Sequence, residues 1–283
     1  MPTFTVTTLD DENDPGASVG TPGGDGLSLR EALALANAAA DADTIVFASA
    51  GTLTLTNGEL AITTDVTIDG DTDADGDADI TIDALDNSRV FDVTAGTSTL
   101  QHLVVTGGHA AGEDGGGIRV AAGASLTLAD VAVVDNDADG SGGGIWNDGT
   151  LTLTDTVVAH NHAAGGGGIA TYAGSTATLI NTTLSGNYVD DVAGLGGGIL
   201  GYAGAALTLV NSTLAGNSAY AAGGIGSIGS DVTLINSTLS GNYAGGFGGG
   251  IAATGGTLTL TNSIVAGNAS NTAPELSVGS PLR

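Results

Sequence analysis

Apolar and polar residues alternate with a period of two in a set of short segments: SLTLADVAVVDN (125–136), TLTLTDTVVAHN (150–161), TATLINTTLSGN (176–187), ALTLVNSTLAGN (206–217), DVTLINSTLSGN (231–242) and TLTLTNSIVAGN (257–268). Their final asparagines are 25, 26, 30, 25 and 26 positions apart, and TSTLQHLVVTGG (97–108) is a weaker early copy. A period of two is the signature of a strand with one covered face. A Gly-rich element precedes each segment and ends in Ile118, Ile145, Ile169, Ile199, Ile225 or Ile251. Three short strands and their turns fit into such a unit, and stacked units place matching strands in parallel about 4.8 Å apart. The expected fold is therefore all-β: a right-handed parallel β-helix solenoid forming one domain over 1–283, with regular coils from 97 to 268.

Stacking makes specific ladders. Leu128, Leu153, Leu179, Leu209, Leu234 and Leu260 should point inward, as should Val133, Val158, Leu184, Leu214, Leu239 and Val265. Two residues after the first of these columns come His102, Asp130, Asp155, Asn181, Asn211, Asn236 and Asn262, types that tolerate left-handed turn geometry. Outward, Thr99, Thr127, Thr152, Thr178, Thr208, Thr233 and Thr259 form a file. A flat double threonine array would suit ice or ordered water, but the second column (Thr150, Thr176, Thr257) is broken by Ser125, Ala206 and Asp231. Threonine is also a favoured strand residue in its own right.

An open solenoid needs covered ends. In 25–47, Ser28 followed by Glu31 reads as a capping box, and Leu29, Leu33 and Ala36 recur at helical spacing, so a short N-terminal α-helix should lie over the first coil as a lid. The tail, 269–283, offers no comparable helix, leaving that end to an irregular cover, a further domain or another subunit. The stretch LSLREAL (27–33) resembles the signature written CSLREAI, with Leu27 in place of Cys. With the repeats, it makes the chain similar to secreted or surface-attached bacterial β-helix proteins related in shape to pectate-lyase-like solenoids. That resemblance spans nearly the whole chain. It implies an exported protein, often carrying calcium-binding repeats.

Charge narrows the partners. The chain has 31 acidic residues against 4 arginines and no lysine, a formal net charge of -27, which disfavours nucleic acid and anionic lipid. No cysteine is present, so disulfides and thiolate metal sites are excluded. MPTFTVTTLDD lacks the basic and apolar parts of a conventional signal peptide, and no apolar run approaches the roughly 20 residues of a membrane helix.

Candidate chemistry follows from the same alignment. In GDTDADGDADITID (70–83), Asp71, Asp73, Asp75, Gly76 and Asp79 occupy positions one, three, five, six and nine of a calcium loop, with Asp77 between. Position twelve is Ile82 instead of a bidentate Glu, and both flanks read as strands. The expected cofactor is Ca2+, held by Asp71, Asp73, Asp75, Asp77 and Asp79 between coils, against the alternative of an unmetallated acidic turn. Asp10, Asp11, Glu12 and Asp14 are a weaker candidate. Beside the repeat asparagines, His109, Asp135, Asp137, His160 and His162 should share one edge, where they could hold a transition metal or act as a general base. Against this stands the reading that they are variable polar turn surface, since imperfect repeats vary freely at loop positions. Pectate-lyase-like enzymes use Arg or Lys as base, and Arg119, following Glu113 and Asp114, is the best-placed arginine. Trp146, Tyr172, Tyr188, Tyr202 and Tyr243 are candidate sugar-stacking or turn-covering rings.

These features favour a noncatalytic, calcium-stabilised structural or adhesive module, located outside the cell or on its surface and exported by a route other than a classical signal peptide. Its expected partner is a polysaccharide or a cell-surface component. The alternative is a polysaccharide lyase or hydrolase using the His and Asp edge.

Overall fold

The computed structural model describes residues 2–14, 26–39 and 41–279. Its parallel strands wind into a solenoid. One wall is a 17-stranded sheet, the second is a nine-stranded sheet with one strand per coil, and two three-stranded sheets close the third side. A representative coil runs through Thr150–Thr154 and Val157–Ala159 on the large sheet, His162–Gly165 on a small one and Ile169–Thr171 on the nine-stranded one.

The alternation explains the interior. Leu128, Leu153, Leu179, Leu209 and Leu234 are in register across successive coils and fully buried, as are Val133, Val158, Leu184, Leu214 and Leu239. The isoleucines of the Gly-rich elements form the opposing column, from Ile118 to Ile251. Each such side chain contributes about 1.5–3 kcal/mol of burial, repeated coil after coil, so the solenoid is held by a line of apolar contacts with no centre.

Two features of the repeat are set by backbone geometry. The turn residues His102, Asp130, Asp155, Asn181, Asn211, Asn236 and Asn262 all sit at φ 49–53, in the left-handed region, and bend the large-sheet strand in two. In the Gly-Gly-Gly-Ile element, Gly142 has φ 72, while a Cβ on Gly143 would fall on the His162 carbonyl oxygen of the next coil. Coils can therefore approach closely only where that side chain is missing.

The lid is present. Helix α1 (Leu29–Ala38) is capped by Ser28, whose side chain accepts from the Glu31 N–H while the Glu31 carboxylate accepts from the Ser28 N–H. Leu29, Ala32, Leu33 and Ala36 are buried. The helix packs on the strands Thr3–Val6, Asp43–Phe47 and Leu60–Ile62. Arg30 clamps it from outside, donating to both Asp11 carboxylate oxygens (2.7 and 3.1 Å) and to the Gly58 and Glu59 carbonyls.

Strand pairing extends on both sides of the regular coils expected at 97–268. Parallel pairing already begins at Thr3–Val6, ahead of the regular coils expected from 97, and these early coils keep the alternation without the asparagine marker. It also continues through Ala269–Thr272 and Leu276–Val278, so the described part of the tail completes the coil begun at Leu258–Thr261 and is not an irregular cover. Leu260, expected inside, is in register but 41% exposed, because no later coil lies over it among the described residues.

Candidate functional site

The strand after each buried repeat asparagine builds one edge. His109, Asp137, His162, Tyr188, Ser218 and Tyr243 are successive register partners there. A strand spacing of about 4.8 Å makes neighbouring side chains touch. The Asp137 carboxylate receives His109 Nδ1 at 2.9 Å on one oxygen and His162 Nδ1 at 2.5 Å on the other. His162 Nε2 reaches Asp190 Oδ1 at 2.9 Å, and the Tyr188 ring stacks on the imidazole at 4.5 Å. Burial disfavours the imidazolium most strongly of any single influence, but the bonds to Asp190 and Asp137 together outweigh it and raise the His162 pKa. The bond from His162 in turn lowers that of Asp190.

Asp135 and His160 lie one position before the asparagines, in left-handed turns with φ 54 and 57. With Asp137, His162 and Tyr188 they line an open cleft of about 290 Å³. The His160 ring lies over Gly186 of the next coil, at a position where a side chain there would collide with it. Arg119 is elsewhere, on the nine-stranded sheet, and donates two hydrogen bonds to the Asp92 carboxylate (2.7 and 2.8 Å), which raise its already high pKa. His102 is also apart from the edge, its Nδ1 2.8 Å from Asp69.

The aromatic candidates separate into two groups. Trp146, Tyr172 and Tyr202 follow one another on adjacent coils, with ring centroids 5.3 and 4.6 Å apart and tilted by 50° and 43°. Tyr188 and Tyr243 belong to the histidine edge and are separated there by Ser218. Tyr220, 46% exposed, was not distinguished by the repeat because the matching positions, Asp139, Ala164 and Gly245, carry no aromatic ring.

In the acidic loop, Asp71, Asp73 and Asp79 converge, each offering a carboxylate oxygen within 4.8 Å of the others. Asp75 and Asp77 do not join them: Asp75 accepts from the Asp77 N–H, and Asp77 faces Asp130 and Asp155 across an open cleft. Asp71 accepts from the Asp73, Ala74 and Gly76 amides. Desolvation raises its pKa most of any one influence, but these three N–H donors, Gly76 foremost, together hold it lowered. The Asp75 charge raises Asp73, and the Thr72 hydroxyl lowers Asp79. Each of the three carboxylates keeps a lone pair free, so the donor set suits a hard cation, with water completing the shell of six to eight oxygens. In the earlier acidic run, Asp11 is already engaged by Arg30 and by the Thr56 and Asn57 amides.

Two polar features escaped the sequence reading. The repeat asparagines Asn136, Asn161, Asn187, Asn217, Asn242 and Asn268 form a buried chain in which each Nδ2 donates to the next Oδ1 at 2.9–3.0 Å. Their invariance along the repeat was the available signal. Asp190 was missed because it lies in the segment that lengthens one repeat to 30 residues, where no other coil has a counterpart.

The outward threonine file is longer than seven. It runs through Thr3, Thr44 and Thr67 before reaching Thr99, giving ten consecutive positions in register up to Thr259.

Comparison with known proteins bears on the fold. The family described as "Right handed beta helix region" matches residues 85–273. The crystal structure of pectate lyase Pel9A is similar with a TM-score of 0.54 and 14% identity, over 96% of this chain and 78% of that one. No curated protein matches the sequence.

Proposed function

Because the chain belongs to the right-handed β-helix family, in which one scaffold carries unrelated sites, we propose its function from the side chains: a noncatalytic structural or adhesive module that displays its long walls to a polysaccharide or cell-surface partner. One observation carries this reading, namely how the cationic groups are held. Arg30, Arg89 and Arg119 are each ion-paired, Arg89 with only 4% of its side chain exposed. A guanidinium fixed on a carboxylate keeps its proton and is a poor base for abstraction beside a uronate. His162, with a carboxylate on each ring nitrogen, has no free lone pair to accept one.

We further propose that Asp71, Asp73 and Asp79 bind Ca2+ and brace the loop. Three carboxylates with water are a weak set, effective at the submillimolar to millimolar calcium typical of extracellular modules, and this supports a location outside the cell. Among the described residues no helix is long and apolar enough to cross a membrane.

A second reading, a polysaccharide lyase or hydrolase, is favoured by the cleft beside His160 and Asp135, whose side chains are not tied into the Asp137 chain. One experiment separates the two. The purified chain is incubated with acidic and neutral polysaccharides, with and without calcium, and assayed for new reducing ends or unsaturated products. The noncatalytic reading expects none; turnover abolished in His160→Ala would overturn it.

A further inference from the structure

We propose that His109, Asp137 and Asp139 form a binding site for a borderline first-row divalent ion of the Zn2+ type, distinct from the calcium loop. The three side chains each offer a ligand atom within 4.8 Å of the others. They come from two adjacent coils. His109 is the register partner of Asp137, and Asp139 follows two positions along the same short strand, Asp137–Ser141.

Both carboxylates are already oriented. Asp139 Oδ2 accepts from the Gly112 N–H at 2.7 Å, and Asp137 Oδ1 is held by His162, which leaves Asp137 Oδ2 toward His109. Ligands fixed by such outer partners bind with less reorganisation. The separation of His109 Nδ1 from Asp137 Oδ2 is 2.9 Å. In a tetrahedral shell two donors about 2.1 Å from one ion lie about 3.4 Å apart, so an ion that displaces the shared proton seats beside the line between them once the pair opens by about 0.5 Å.

The imidazole decides the class. Ca2+ and Mg2+ take oxygen ligands, whereas one nitrogen with two carboxylates suits Zn2+ and its neighbours. Three protein ligands leave room for water, and the strongly negative chain raises the local concentration of any cation. The ion would fasten the turn after His109 to the following coil.

The test is calorimetric titration of ZnCl2 into the full chain, stripped with chelator and held in excess calcium to occupy hard-oxygen sites. One equivalent should bind, with affinity reduced at least tenfold in His109→Ala and in Asp137→Asn and unchanged in Asp71→Asn. Should either of the first two variants misfold, imidazole resonances of the wild type provide the second measurement. Zinc should shift those of His109 at the first equivalent and leave His102 unmoved. Absence of binding, binding unaltered in His109→Ala, or equal perturbation of all four histidines would overturn the site.

Discussion

Replacing Asn187 by alanine should cost far more than a polar-to-small change at a turn ordinarily does. The Asn187 side chain is fully buried and makes four bonds. Its Oδ1 accepts from the Asn161 backbone N–H (3.1 Å) and Asn161 Nδ2 (2.9 Å), and its Nδ2 donates to the Val158 carbonyl and to Asn217 Oδ1, both at 2.9 Å. Truncation strands the Asn161 N–H in the interior, at about 1–3 kcal/mol, and removes three further bonds worth about 0.5–1.5 kcal/mol each. The expected loss is roughly 3–7 kcal/mol. Asn211 provides the internal control. It belongs to the next repeat but is exposed, and its neighbour contacts are longer (3.3 Å). Its alanine variant should lose only the left-handed preference, about 1–2 kcal/mol, and its glycine variant almost nothing. Urea unfolding followed by circular dichroism measures all three, and the slope reports whether the solenoid still unfolds as one unit. If Asn187→Ala were no more damaging than Asn211→Ala, the buried amide chain would not be a source of stability and the reasoning would fail.

Other outcomes follow from the same geometry. Leu209→Ala should destabilise by about 2–5 kcal/mol, while Leu260→Ala, at a position 41% exposed, should cost well under half of that in parallel melts. Calcium at millimolar concentration should raise the melting temperature of the wild type and leave Asp71→Asn unmoved; identical curves with calcium and chelator would remove the loop site. Asp11 is raised by burial, its largest single influence, yet held below the ordinary carboxylate range by Arg30 and the Asn57 and Thr56 amides together. A depressed folded pKa stabilises fully above the unfolded value of about 3.9 and is lost as pH falls through the folded one. The stability gap between wild type and Asp11→Asn should therefore be constant near neutrality and close below about pH 4 in a melt series; a gap that persisted unchanged to pH 2 would contradict the ion pair.

What the sequence determined by itself is whatever depends on local pattern repeated at constant spacing. Alternation fixes which side chains enter the interior. Asn or Asp two residues after the inward leucine marks the left-handed bend, and Ser28 with Glu31 marks the start of the lid, since each is satisfied within a few residues of its own position. Only the tertiary structure decided where that spacing breaks or where a polar group needs a partner from another coil. The 30-residue repeat swings Asp190 onto His162, Arg119 is drawn to Asp92 on a separate wall, and Asp75 and Asp77 leave the cluster that their spacing suggested. The repeat asparagines were legible as a mark but not as a chain of buried amides. Hydrogen bonds between coils depend on which side of the wall each side chain takes and on atoms 25–30 residues away, and no local pattern encodes either.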